Sequence, residues 1–247
     1  MNTPNDQAHA ALSATLPSAM ETSASSVASL SATSMASSLA TAFSTSFATL
    51  TPGFADPVHD TQAVFRTLLD ALSRPGTIGT VNHVLPAFDT ATAHRPAADR
   101  AAFAALLTLC DFSTPVWLAQ PDAPLASALR FHTGAPLVDT PQQAAFAYLH
   151  DAAAMPALEQ FALGEPESPE LAATLLVRVT ALTGGMPLTL RGPGIETTQM
   201  IAPAGLPERF WRERAELAPL FPCGIDCYFV CGDTLMGLPR TTQVELN

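Results

Sequence analysis

The sequence predicts an α/β fold in which helices pack on a mixed β-sheet. Segments with apolar residues at helical spacing are interleaved with short segments in which apolar residues alternate. Two pairs of the alternating segments are joined by glycine-containing turns, which is typical of antiparallel hairpins. The 247 residues are enough for one domain with a sizeable core. We therefore expect a single α/β domain over residues 51 to 247.

The first predicted helix has clear signals at both ends. Asp56 can cap its amino terminus, Pro57 suits the first helical position, and Pro75 and Gly76 end it. Its expected core face is the apolar set Val58, Phe65, Leu68, Leu69 and Leu72.

Three further helices are predicted from the same periodicity. They cover residues 99 to 110, about 124 to 134 with Gly134 as a left-handed cap, and 207 to 217. The residues expected to face the core from the first of these are Phe103, Leu106, Leu107 and Cys110.

Alternation of apolar residues predicts strands at 116 to 119, 146 to 150 and 175 to 181. Gly184 and Gly185 then separate the last of these from a short apolar segment at 188 to 190. This pattern predicts a hairpin between the two segments.

The carboxyl-terminal region predicts a second, buried hairpin. An apolar run at 225 to 230 is interrupted at 232 and 233 and resumes at 234 to 238. Pro239 ends the second strand, because proline cannot donate to a ladder. The hairpin places Arg240, Thr241 and Thr242 at a strand end, where binding residues are often found.

Composition excludes several functions. The formal net charge is -11 and every one of the 11 cationic side chains is arginine. This charge has the wrong sign for nucleic acid or an anionic membrane surface. Without lysine the chain cannot form a Schiff base with pyridoxal phosphate, and it has no P-loop.

The first 50 residues differ from the remainder. Of these, 31 are Ala, Ser or Thr and none is Lys or Arg, and no long apolar run occurs. We expect a disordered extension rather than a signal peptide or a membrane span. A rhythm of four residues through Met35, Leu39, Phe43 and Phe47 would also suit a weak amphipathic helix formed with a partner.

The cysteines do not match a zinc signature. Cys223, Cys227 and Cys231 are spaced C-x3-C-x3-C, and Cys110 lies far from them. We expect small buried apolar residues in a cytosolic protein, with an iron-sulfur site as the alternative. Asp56, His59 and Asp60 have the chemistry of metal ligands, but the capping role of Asp56 argues against a metal there.

Several blocks of the sequence, taken in order, resemble the PhnH subunit family of the bacterial carbon-phosphorus lyase system. The resemblance covers about residues 53 to 245. The blocks are residues 53 to 59, 62 to 66, 73 to 76, 106 to 111, 114 to 118, 129 to 138, 182 to 185, 192 to 195 and 221 to 242.

The resemblance implies a fold and a set of partners. Proteins of this family are mixed α/β and are similar to the large domain of pyridoxal-phosphate transferases without the cofactor. It also implies a cytoplasmic protein that forms a homodimer and joins the PhnG, PhnI and PhnJ subunits.

The implied reaction transfers an alkylphosphonate to ATP. A phosphonate oxygen displaces adenine at the ribose C1 carbon and gives ribose 1-methylphosphonate 5-triphosphate. Such a site must hold two anionic groups, stabilise an oxocarbenium-like centre and help to protonate the departing base. Arginine and backbone amides suit the first task, and a carboxylic acid suits the other two.

Candidate residues follow from these requirements. Arg240, with the hydroxyl groups of Thr241 and Thr242, is the first candidate for binding a phosphoryl group, and a structural ion pair is its alternative. Arg130 and His132 form the second candidate, although cations are favoured at any helix carboxyl terminus. Asp226 lies in an apolar run and therefore has either a partner, which we expect to be an arginine, or a raised pKa that makes it a usable acid. Asp226 and His132 are the candidates for a catalytic role. The glycines at 184, 185, 192 and 194 are expected to serve turns rather than a phosphate cradle.

Two functional classes remain open from the sequence. The chain either contributes residues to the phosphonate-transfer site of the assembly, as a transferase subunit, or is a scaffold that organises the partner subunits.

Overall fold

The described residues form a sheet that is covered on both faces. A computed structural model describes residues 50–81, 85 and 98–246. The predicted disordered extension and its apolar rhythm therefore lie outside the described residues, apart from Leu50. The helices are α1 Pro57–Ser73, α2 Arg100–Leu109, α3 Ala123–His132 and α4 Glu208–Leu217.

The main sheet has six strands, and the mixed α/β prediction is confirmed. Its order is β1-β8-β7-β4-β3-β2, with β2, β3, β4 and β7 parallel and with β8 and β1 antiparallel to their neighbours. The strands are β1 Ile78–Thr80, β2 Val116–Leu118, β3 Phe146–Leu149, β4 Thr174–Arg178, β7 Asp226–Cys231 and β8 Thr234–Leu238.

Side-chain alternation divides the core into two layers. Tyr148, Leu176 and Tyr228 point towards α1, α2 and α3, whereas Leu175 and Phe229 pack against α4 and a second sheet. The polypeptide thus forms helices on one face of the main sheet and a smaller mixed layer on the other.

The predicted hairpin at 184 and 185 is wrong. Strand β4 pairs with β3 and β7, and the segment at 188 to 190 belongs to a separate antiparallel sheet. That sheet has the order β6-β5-β9, with β5 Leu188–Arg191, β6 Gln199–Ile201 and β9 Gln243–Leu246. The Gly185 amide donates to the Ala202 carbonyl, and the Ala204 amide donates to the Ala181 carbonyl. The chain after β4 therefore pairs with residues 202 to 204 and does not fold back on β4.

The cap of α1 is confirmed, but its predicted core face is only partly correct. Asp56 accepts from the amides of Val58 and His59. Leu68 is buried together with Val64 and Ala71, whereas Val58, Phe65 and Leu69 are 66%, 49% and 57% exposed.

The difference between the predicted and the observed buried face of α1 is explained by the close approach of this helix to two strands of the sheet. A Cβ on Gly237 of β8 would overlap the Ala71 carbonyl, and one on Gly79 of β1 would overlap the Thr67 side chain. The helix therefore packs closely on these strands at Thr67 and Ala71, with Val64 and Leu68 buried beside them, whereas Val58, Phe65 and Leu69 lie on the exposed side.

Burial also determines how the thiols titrate. Desolvation raises the pKa of Cys110 and of Cys227 from 9.0 to about 12, and it raises the pKa of Tyr148 and Tyr228 as well. The unfolded chain therefore loses these protons first as the pH rises.

We expect the free energy of unfolding to fall as the pH rises from about 9 towards 11. The folded state holds more protons there, so each of these groups lowers stability by up to about 1.4 kcal/mol per pH unit. Urea titrations at about pH 8, 9, 10 and 10.5 measure this change. A Cys227→Ala variant should show a shallower decline, and an unfolding midpoint that is constant up to pH 10.5 would contradict the assignment.

Candidate functional site

The Arg240 side chain is held by hydrogen bonds to Asp226, Pro169 and Pro222, an arrangement that we call the clamp. Its Nε and Nη2 atoms donate to Asp226 Oδ2 at 3.1 and 2.7 Å. Its Nη1 donates to the carbonyls of Pro169 and Pro222 at 2.9 and 3.3 Å. The side chain is only 16% exposed. These contacts join the end of β8 to the segments that precede β4 and β7.

Asp226 is the partner of Arg240, as the sequence interpretation expected for a carboxylate in an apolar run. Its Oδ1 atom also accepts from the Arg240 amide at 2.7 Å. The carboxylate thus receives three donors from one residue and is compensated within the protein.

The threonines beside the clamp differ from each other. Thr242 is buried and its amide donates to the Pro239 carbonyl at 3.0 Å. Its hydroxyl has no hydrogen-bond partner among the described residues. Thr241 is half-buried. A Cβ atom on Gly192 would lie 3.0 Å from the Thr241 carbonyl oxygen, so the two backbone segments approach each other closely.

The glycines at 192 and 194 bring backbones together. Gly194 has a φ of +82°, and a Cβ there would overlap the carbonyl of Ser73 at the end of α1. These two glycines therefore allow the loop between β5 and β6 to pack closely against the end of α1 and the segment after β8.

Arg130 and His132 lie at the carboxyl terminus of α3, in the helix layer. Arg130 is exposed. His132 Nε2 lies 2.9 Å from the Thr51 carbonyl oxygen, and its ring covers Gly53. Within the described part of the chain, hydrogen bonds and ion pairs join neither residue to Asp226 or Arg240. The two predicted clusters are therefore separate features.

A polar cavity lies at the opposite edge of the main sheet, where the parallel strands end. Its volume is about 420 Å³. The lining residues follow β3, end or follow β4 and β7, precede α2, or lie between β6 and α4: Asp99, His150, Asp151, Ala152, Arg178, Val179, Thr180, Gly205, Cys231 and Gly232. Ligands of open α/β sheets bind at this edge, outside the carboxyl ends of the strands.

His150 is the most deeply buried polar side chain of this cavity. The side chain is 3% exposed, and its Nε2 lies 3.4 Å from Oδ2 of the equally buried Asp122. That distance suits an ion pair if the ring is protonated, but neither ring nitrogen has a hydrogen bond of good geometry among the described residues. Buried polar groups are normally paired, so this imidazole is a candidate for contact with a ligand or a water molecule.

Asp99 connects the cavity wall to the amino terminus of α2. Its carboxylate accepts from the Gly232 amide at 3.1 Å and lies 3.4 Å from Nε of Arg178. The Asp99 amide donates to the Tyr148 hydroxyl at 3.3 Å. Burial and the negative charge of Asp99 together raise the pKa of Tyr148, which keeps that hydroxyl protonated.

Apart from Cys231, none of the lining residues of this cavity was among the site residues predicted from the sequence. One signal was present, because His150 and Asp151 directly follow an apolar segment and Arg178 follows another. The strand order was needed to show that these two segments are adjacent and parallel.

No cluster of three or more His, Cys, Asp or Glu residues in residues 50–81, 85 and 98–246 is arranged to hold a metal ion. No helix within the same ranges is both long and apolar enough to cross a membrane. All four cysteines are free; Cys110 and Cys227 are buried, and Cys223 and Cys231 are partly exposed.

The fold and the cavity define an α/β protein with a polar cavity at the carboxyl ends of its parallel strands. Comparison with known proteins places it more narrowly. Residues 52–245 match the family model described as bacterial phosphonate metabolism protein, PhnH. The chain belongs to this family.

Two relatives bear names from the same metabolism. The alpha-D-ribose 1-methylphosphonate 5-triphosphate synthase subunit PhnH of Rhizobium meliloti strain 1021 is 45% identical over 195 residues, which cover 78% of this chain and 94% of the relative. HtxG of Stutzerimonas stutzeri, named as a C-P lyase subunit protein, is 39% identical over 85 residues, covering 34% of this chain and 44% of HtxG.

Proposed function

We propose that this chain is a subunit of a carbon-phosphorus lyase core assembly and takes part in the transfer of an alkylphosphonate to ATP. In that reaction a phosphonate oxygen forms a bond to the ribose C1 carbon while the bond from that carbon to adenine breaks. Adenine leaves with a proton that comes from the phosphonate or from an acid group of the assembly, and the product is ribose 1-methylphosphonate 5-triphosphate. The observation that carries the proposal is the 45% identity to a synthase subunit over 94% of that subunit's length.

The proposed partners are the PhnG, PhnI and PhnJ subunits, in the cytoplasm, with a homodimer formed by this chain alone. The exposed apolar side chains of Val58, Phe65 and Leu69 support association, because such groups on a helix surface are commonly buried by a neighbouring subunit. The 13% content of charged residues supports it too.

No pyridoxal phosphate is proposed, since the sequence contains no lysine to bind it covalently. The likeness to the large domain of pyridoxal-phosphate transferases stays a prediction about the fold. ATP is proposed as a substrate of the assembly.

Native mass spectrometry of the coexpressed subunits tests membership in the assembly. We expect this chain, alone, to have the mass of a dimer and, with PhnG, PhnI and PhnJ, to be retained in one complex. A monomer at micromolar concentration that is absent from the complex of the other three would contradict the proposal.

A further inference from the structure

The charges around the carboxyl-edge cavity favour a neutral ligand. Asp99 and Asp151 line it, and Asp122 lies behind His150. Among the lining residues that the structure describes, Arg178 carries a fixed positive charge, and its guanidinium is already close to Asp99. A triphosphate or phosphonate inside the cavity would face these carboxylates, and like charges brought together are unfavourable.

The cavity offers hydrogen-bond acceptors to such a ligand. Carboxylates accept from hydroxyl and amino groups, and acidic residues bind ribose hydroxyls at the carboxyl edge of other open α/β sheets. His150 adds a ring whose nitrogens have no hydrogen bond among the described residues and whose side chain is 3% exposed. A ligand that carries both hydroxyl groups and ring nitrogens would pair with all of these groups.

We propose that this cavity binds a nucleoside, with Asp99 and His150 as its main polar contacts. The assignment rests on the proposed function in one respect, because the adenosine portion of ATP is the nucleoside that the proposed assembly would supply. The charged phosphoryl groups lie outside the cavity.

Cys231 provides a direct probe of occupancy in the full chain. It lines the cavity and its thiol donates to the Thr180 carbonyl at 3.5 Å. Cys223 is also partly exposed but lines a different cavity, and the other two cysteines are buried. The alkylation rate of Cys231 by iodoacetamide, read by peptide mass spectrometry, therefore has an internal control.

Adenosine should slow alkylation of Cys231 and leave Cys223 unchanged. At ten times the Kd the protection should be about tenfold, because about one site in eleven remains free. Inorganic phosphate and methylphosphonate should give no protection of Cys231. The proposal is overturned if adenosine leaves the Cys231 rate unchanged, if it protects both cysteines equally, or if either anion protects Cys231.

A pair of matched variants tests the contact with His150. His150→Gln should weaken adenosine binding about tenfold in calorimetry, which corresponds to about 1.4 kcal/mol. His59→Gln makes the same change at an exposed position of α1 and should bind as the original chain does. Equal affinity of the two variants would overturn the role of His150, and if His150→Gln does not fold, the protection of Cys231 in the original chain decides alone.

The test of the nucleoside site and the test of the proposed function can fail independently of each other. If adenosine gives no protection but the assembly requires this chain, only the nucleoside site is wrong. If adenosine protects Cys231 but the chain stays outside the assembly, the proposed function is wrong and the site stands.

Discussion

Replacing Arg240 with alanine should lower the free energy of unfolding by about 2 to 4 kcal/mol. The change leaves the Asp226 carboxylate without its guanidinium and removes the donor from the Pro169 and Pro222 carbonyls. The pair is mostly buried, with side chains 16% and 21% exposed, so solvent screens it only in part. Urea unfolding followed by circular dichroism measures the loss.

Arg240→Lys should recover only part of the loss, because an ammonium group cannot reach Asp226 and two carbonyls with the geometry of the guanidinium fork. Arg212→Ala is the matched control, since Arg212 is exposed on α4. Unchanged stability of Arg240→Ala together with lost phosphonate transfer would contradict the clamp. It would support the phosphoryl-binding role that the sequence suggested.

Replacing Arg214 with leucine should cost a similar amount, about 2 to 4 kcal/mol. Arg214 is 7% exposed on α4, and its guanidinium donates to the carbonyl of Ile225 at 3.1 Å and to the carbonyl of Pro239. Leucine fills much of the volume, but it leaves the Ile225 carbonyl without this donor and the Pro239 carbonyl with the Thr242 amide as its donor.

Burial of this arginine is itself unfavourable, and desolvation lowers its pKa. Replacing a buried charge by an apolar residue of similar size can therefore be neutral when no partner is left unpaired. We expect the loss of the donor to these carbonyls to outweigh the relief of the buried charge, so that Arg214→Leu lowers the free energy of unfolding. Arg212→Leu on the same helix should leave the urea midpoint nearly unchanged, and a variant Arg214→Leu as stable as the original chain would show that water replaces the lost donors.

Local signals in the sequence were enough to predict the elements that depend on neighbours in the chain. The cap at Asp56, the turn at 232 and 233 and the end of β8 at Pro239 are each determined within a few residues. The second sheet could not be predicted in this way. Its central strand β5 pairs with β9 about 55 residues later, and alternation in a short apolar segment does not identify a partner.

The same distinction applies to the candidate site. Pairing of Asp226 with an arginine followed from the cost of an isolated buried charge. The group formed by Asp99, Asp122, His150 and Arg178 could not be inferred, because these residues lie on four segments that only the order of the parallel strands brings together. The exposed face of α1 was missed because it depends on glycines in β1 and β8.

Adenine release from ATP and methylphosphonate by the reconstituted subunits tests the central claim most directly. The claim is that this chain takes part in phosphonate transfer, so adenine release should require it and should return when the purified chain is added to PhnG, PhnI and PhnJ. His59→Gln should restore release fully. Equal rates of adenine release with and without this chain, in mixtures whose composition is verified by native mass spectrometry, would contradict the account.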